Sequence, residues 1–87
     1  MITIVIYDIS KTKIRNKVIE KIMDYGLMRI QFSVFAGKIN KNMRENLAIE
    51  MRNCMLNEDG NIQIFLVDED EYMKKLEFGR RSILWWI

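Results

Sequence analysis

The order in which strand-like and helix-like apolar patterns follow one another constrains the fold of this chain more than any other feature. Residues 2–7 read as a strand, and a helical apolar stripe follows over residues 12–25. Residues 28–39 are rich in β-forming side chains, and a second helical stripe over residues 43–56 precedes a further strand at residues 62–67. The order β-α-β-β-α-β predicts a ferredoxin-like sandwich, an α+β fold in which two helices cover one face of an antiparallel sheet.

Several local signals mark where these elements begin and end. Ser10 or Thr12 can cap the first helix, and Gly26 suits the left-handed conformation that ends it. Asn42 and Glu45 form a capping-box pattern at the start of the second helix. The acids at residues 68–71 resemble the first turn of a short helix, the alternative being a docking surface for a basic partner.

The β-rich stretch at residues 28–39 has two interpretations. It is either a hairpin that turns near Phe32-Ser33 or one bent strand, with Gly37 as a bulge or bend. The sequence alone does not separate them.

Length and composition bound the class of protein. With 87 residues, 49 % of them apolar, residues 1–87 are expected to form one domain. A domain of this size buries only about 60 to 65 % of its unfolded surface, so burial through oligomerisation would add stability. No apolar stretch reaches the roughly 18 residues that span a bilayer, and the N-terminus lacks the features of a signal peptide, which predicts a cytoplasmic protein with no membrane association.

The chain contains no histidine and one cysteine, Cys54. The absence of histidine excludes an imidazole base, a Ser/His or Cys/His nucleophile pair and a His-ligated metal. A single cysteine forms no intrachain disulfide and cannot hold zinc unaided. Any hydrolysis must therefore use carboxylates, metal-bound water, Tyr, Lys or Ser.

Asp8 is the leading candidate for a functional residue. It closes the first apolar run, directly after Tyr7. A carboxylate at the mouth of a buried strand needs a cation, a hydrogen-bond donor or a neutral state, which makes Asp8 a candidate metal ligand. The alternative is that Asp8 caps the following helix or forms an Asx-turn.

Charge is divided unevenly along the chain. Residues 10–44 carry nine basic side chains against two acids, whereas residues 45–77 carry nine acids against three basic side chains. Lys13, Lys17 and Lys21 repeat every fourth residue along the first helix. This distribution predicts nucleic-acid backbone on one face of the protein, the alternative being an ordinary solvated surface.

The end of the sequence is apolar on both faces if it is extended. Residues 82–87 include both tryptophans, and a chain end of this kind requires a cover. It predicts an extra C-terminal strand, packed either on the protein's own core or on a second copy.

Two motifs near the start of the chain are specific when they occur together. One is the strand end Tyr7-Asp8, and the other is the Gln-x-Ser-Val-Phe-x-Gly run at residues 31–37. Together they resemble the family of the small CRISPR-associated adaptation protein, the second numbered protein of that system and the non-integrase partner in spacer acquisition. The resemblance covers residues 1–40 well and is one of length and element order beyond them.

The resemblance implies a homodimer in which residues 82–87 cross to the partner's sheet. It also implies that Asp8 of two protomers can share Mg²⁺ or another divalent cation across the two-fold axis. The positions that it links to activity are Asp8, Tyr7, Arg15, Arg29 and Phe35, with the arginines as phosphate clamps and the aromatic rings as packing or stacking groups. Together with the lysine ladder this gives a nucleic-acid-binding set of Lys13, Arg15, Lys17, Lys21 and Arg29. Lys17 and Phe32 depart from the family, which commonly has arginine and tyrosine there.

The function implied is that of a CRISPR adaptation subunit that bridges integrase dimers, binds nucleic-acid backbone and has metal-dependent endonuclease activity on RNA or DNA. The alternative is a stand-alone toxin-type endoribonuclease of the same fold. A ligand-sensing regulatory module is disfavoured by the basic ladder and by the lack of a Gly-rich loop.

Overall fold

The structure is a computed structural model that describes residues 1–79. In chain order its elements are β1 (Ile2–Asp8), α1 (Thr12–Asp24), β2 (Met28–Gln31), β3 (Val34–Gly37), α2 (Lys41–Met55), β4 (Asn61–Val67) and α3 (Glu69–Met73). The predicted additional strand at residues 82–87 lies outside the described residues. The acids at residues 68–71 lead into α3, as first-turn acids lead into a helix.

The strands form one antiparallel sheet in the order β2-β3-β1-β4. Two α-helical crossovers, one on each side of the β2–β3 hairpin, produce this order, and the predicted ferredoxin-like fold class is confirmed. The hairpin interpretation of residues 28–39 is also confirmed, since β2 and β3 are joined at Phe32-Ser33. Of the two roles expected for Gly37, a bulge or a bend, the bulge is wrong, because Gly37 pairs in register with Thr3 and the irregularity in the β2–β3 pairing falls between Arg29 and Gln31.

The core lies between one face of the sheet and the helices. On β1 the side chains of Thr3, Val5 and Tyr7 alternate inward and are buried. They meet buried residues of the two helices and of β3, chiefly Val18, Ile22, Leu47, Met51 and Phe35. The opposite face of β1 carries Ile2, Ile4, Ile6 and Asp8, so the central strand is apolar on both faces.

Both helices begin differently from the sequence prediction. Lys11 is the N-cap residue of α1, and neither Ser10 nor Thr12 caps the helix with its side chain. The Thr12 hydroxyl is engaged elsewhere, because it accepts a hydrogen bond from Arg15 at 3.3 Å. In α2 the cap is Asn40, whose Oδ1 accepts from the Met43 amide at 2.8 Å, so the predicted capping box two residues later is wrong.

A small polar cluster links the two long helices. The Tyr25 hydroxyl donates a hydrogen bond to the Glu50 carboxylate, and this bond raises the pKa of Tyr25 above its ordinary value. Lys21 lies 3.8 Å from the other carboxylate oxygen of Glu50. One member of the predicted lysine ladder is therefore part of an interhelical contact.

Within residues 1–79 no helix is both long enough and apolar enough to cross a membrane.

Candidate metal and nucleic-acid site

Asp8 is the last residue of β1 and its side chain is exposed. Within residues 1–79 its carboxylate takes part in no hydrogen bond or ion pair, and no side chain caps α1. No hydrogen bond in the described residues therefore supports the alternative in which Asp8 caps α1 or forms an Asx-turn. The carboxylate is instead directed to solvent, where it can accept a cation or a donor.

A surface cavity of about 500 Å³ adjoins this carboxylate. Its lining includes four of the predicted site residues, Tyr7, Asp8, Arg15 and Arg29, together with Ser33 of the hairpin turn. The lining residues come from three elements, β1, α1 and β2, and from the two loops that follow β1 and β2. The structure thus brings one carboxylate and two guanidinium groups to the same cavity.

Tyr7 fixes the turn that forms one wall of this cavity. Only 4 % of its surface is exposed, and its hydroxyl donates to the Phe32 carbonyl at 2.9 Å. Its backbone amide donates to the Ser33 carbonyl at 3.0 Å. Because the hydroxyl is already committed to the turn, the structure gives Tyr7 a positioning role.

Arg15 organises the loop that follows Asp8. Its guanidinium donates to the carbonyl of Ile9 at 3.1 Å and to that of Ser10 at 3.5 Å, in addition to the Thr12 hydroxyl. These hydrogen bonds connect the first turn of α1 to the loop between β1 and α1. The family resemblance implies a phosphate clamp at Arg15, which stays a prediction, and nothing in the sequence indicated that Arg15 would bind these two carbonyls.

Arg29 and Phe35 form a stacked pair beside the cavity. The Arg29 guanidinium carbon lies 5.1 Å from the centroid of the Phe35 ring, within cation–π range. Phe35 is 1 % exposed, and its ring centroid lies 6.3 Å from that of Tyr7. Phe35 therefore packs in the core and contacts the Arg29 guanidinium. Because its ring is buried, it is not accessible for stacking with a nucleobase.

The predicted lysine ladder is not uniform. Lys13 and Lys17 are exposed on α1, and neither forms a hydrogen bond or ion pair within residues 1–79. Lys21 is half-buried and pairs with Glu50. At the entrance to α1, Lys11 pairs with Glu58 of the α2–β4 loop at 3.1 Å. Lys13 and Lys17 are thus the ladder cations most open to a phosphate backbone.

One copy of the chain supplies only part of the ligands that a metal site needs. Among residues 1–79 no group of three acidic or thiol side chains lies close enough together to hold a metal ion. One exposed carboxylate binds hydrated Mg²⁺ weakly, since this ion prefers six oxygens in octahedral geometry. Asp8 fits a divalent cation on condition that a second copy supplies a matching carboxylate.

Fold and site together define a class, the ferredoxin-like α+β proteins with an exposed carboxylate at the end of the first strand and arginines around it. A family model described as "CRISPR associated protein Cas2" matches residues 1–75. The chain belongs to this family, as the resemblance of its first forty residues predicted.

Among the relatives of this chain are proteins named CRISPR-associated endoribonuclease Cas2. The one from Pyrobaculum aerophilum is 40 % identical over 68 residues, which is 78 % of this chain and 75 % of that protein. The one from Desulforudis audaxviator is 40 % identical over 76 residues, which is 86 % of this chain and 72 % of that protein. A third relative, from Thermoproteus tenax, is a Cas1/Cas2 endonuclease fusion that is 35 % identical over 69 residues, 79 % of this chain and 26 % of the fusion.

A solved structure of Streptococcus pyogenes Cas2 has the same fold. It superposes with a TM-score of 0.78 at 20 % identity, covering 91 % of this chain and all of that chain. At this identity the likeness speaks for the fold, which agrees with the sheet order described above.

Proposed function

We propose that this chain is a nucleic-acid-binding subunit of CRISPR adaptation that acts as a homodimer, bridges integrase dimers and cleaves RNA or DNA with a divalent cation bound at Asp8. The observation that carries the proposal is the free Asp8 carboxylate in a cavity that it shares with Arg15 and Arg29. The endoribonuclease names of two relatives support a nuclease of this kind.

The chemistry assigned to the site follows from its charges. A divalent cation, when bound, supplies a water of lowered pKa and neutralises charge on a scissile phosphate. Arg29, held over the Phe35 ring, offers guanidinium donors to a phosphate oxygen. Arg15 and Tyr7 hold the two loops that shape the cavity, so their substitution would act on its geometry.

The homodimer is supported by the face of the sheet that lies opposite α1 and α2. Strand alternation and register place Ile4, Ile6 and Phe65 on that face, opposite α1 and α2. Ile6 is 38 % exposed and Phe65 is 46 % exposed, which leaves apolar area available to a second copy. Asp8 shares this face, so packing two copies through it would bring their Asp8 carboxylates towards one another.

The integrase partner is supported by the Thermoproteus tenax fusion, in which Cas1 and Cas2 are parts of one chain. This relative favours the adaptation role over the stand-alone toxin-type endoribonuclease. Co-purification with the integrase of the same host tests it, with Asp8→Ala as the second arm. We expect both forms to co-purify in a complex that contains two integrase dimers, because bridging needs the dimer and not the carboxylate. Failure of the wild-type chain to bind the integrase would contradict the bridging role.

Nucleic-acid binding is expected to depend on Lys13 and Lys17. Replacing both by Gln should flatten the slope of log affinity against log salt by about 0.7 to 0.9 per lost phosphate contact, with little dependence on base sequence. Fluorescence anisotropy of a labelled oligonucleotide at several salt concentrations measures this slope. Lys41→Gln combined with Lys74→Gln removes the same charge from α2 and from the residue after α3 and should leave the slope unchanged. Equal effects of the two pairs would show that only net charge matters.

A further inference from the structure

A second oxygen-bearing side chain lies opposite Asp8 in the sheet. In the antiparallel pairing of β1 with β4, Asp8 is the register partner of Asn61, the first residue of β4. Directly opposed residues of an antiparallel pair point to the same face, with Cβ atoms about 4.5 to 5.5 Å apart. Both side chains are exposed, and within residues 1–79 neither has a hydrogen-bond or ion-pair partner.

Resting on the proposed function, we infer that Asn61 completes the cation site at Asp8 through its amide oxygen. Carboxylate and Asn amide oxygens are both ligands of hard divalent cations. One Asp8 alone is a weak ligand, whereas an Asp8–Asn61 pair from each copy of a homodimer offers four protein oxygens and leaves room for water. The neutral amide also adds a ligand without adding the mutual repulsion of a further carboxylate.

The backbone around the pair holds the two strand ends together. Gly60, directly before Asn61, has φ of +150°, and a Cβ there would lie 3.0 Å from the Asp8 carbonyl oxygen and 2.8 Å from Met55 Cε. Glycine therefore allows the chain entering β4 to approach the end of β1 closely. The Lys11–Glu58 ion pair joins the loops on either side of the same point. The position of Asn61 relative to Asp8 is thus fixed by the fold and does not depend on a ligand.

Titration of the full chain with Mn²⁺, followed by water-proton relaxation, tests the inference without measuring cleavage. We expect Asp8→Asn to abolish saturable binding and Asn61→Ala to weaken it about fivefold or more, because one protein oxygen is lost from each copy. Asn61→Asp retains an oxygen ligand and should bind at least as tightly as wild type. The matched control is Gln63→Ala, which alters the next residue of β4 on the same face, opposite Ile6, and should leave the affinity unchanged. Melting temperatures of all variants check that they are folded.

The outcomes separate the inference from the proposed function. If wild type does not bind Mn²⁺, or Asp8→Asn binds as wild type does, the metal site at Asp8 is wrong and the role of Asn61 falls with it. If Asp8→Asn loses binding while Asn61→Ala behaves like Gln63→Ala, the proposed site stands and the role of Asn61 is overturned. Binding by Asn61→Asp as weak as that by Asn61→Ala would also overturn an oxygen-ligand role.

Discussion

Asp8→Asn is expected to reduce the proposed metal-dependent cleavage by about a hundredfold or more, while the proposed homodimer and its affinity for nucleic acid survive. The substitution keeps the shape of the side chain and removes its charge, and the charge is what a divalent cation needs. Because the carboxylate forms no hydrogen bond within residues 1–79, its replacement breaks no contact that stabilises the fold. Cleavage of labelled RNA and DNA with and without EDTA measures the effect.

The same substitution separates the catalytic assignment from a structural one. If Asp8 only organised the turn into α1, Asn would serve nearly as well, and neither activity nor stability would change by more than about 1 kcal/mol. Asp24→Asn, which neutralises an exposed carboxylate at the last residue of α1, is the matched control and should cleave like wild type. Undiminished cleavage by a rigorously purified Asp8→Asn protein would reject the catalytic assignment. Absence of cleavage in every form would leave the bridging role standing.

The sequence predicted those parts of the fold that follow from a repeat of apolar residues along a helix or strand. The helical apolar stripe predicted over residues 12–25 lies against the core, since Val18 and Ile22 on α1 are fully buried. The β2–β3 turn at Phe32-Ser33 was one of two alternatives, because a four-residue strand is too short for its pattern to exclude a bent strand. Helix caps were missed for a related reason: residues 40–42 contain two asparagines two positions apart, and only the path of the chain decides which one accepts the first amide.

The candidate site was predictable as a set of residues but not as a set of roles. Asp8 was found because a charged residue at the end of an apolar run is unusual on physical grounds. The loop contacts of Arg15 and the turn contact of Tyr7 depend on how loops fold back, which periodicity does not report. Asn61 was missed because its relation to Asp8 arises from pairing between strands more than fifty positions apart in sequence. A register prediction for β1 and β4 would have been the signal needed to find it.

The proposed homodimer should be disrupted by one charge on the face of the sheet opposite α1 and α2. Phe65→Glu places a carboxylate beside Ile4, its register partner, in the centre of that face. Each buried large apolar side chain contributes about 1.5 to 3 kcal/mol, and a two-fold interface loses it twice, so the dissociation constant should rise by at least about a hundredfold. Sedimentation equilibrium over a range of protein concentrations measures the change.

Leu66→Glu provides a matched control, because Leu66 is the next residue of β4 and is equally exposed at 46 %, but it points to the helix side of the sheet. It should leave the dimer intact, whereas a dimer broken equally by both substitutions would argue for an interface along the edge of β4. Since Asp8 lies on the same face as Phe65, the Phe65→Glu monomer should also lose Mn²⁺ binding although every ligand is still present. Tight Mn²⁺ binding by that monomer would show that one chain suffices, and the requirement for a second carboxylate across the axis would then be wrong.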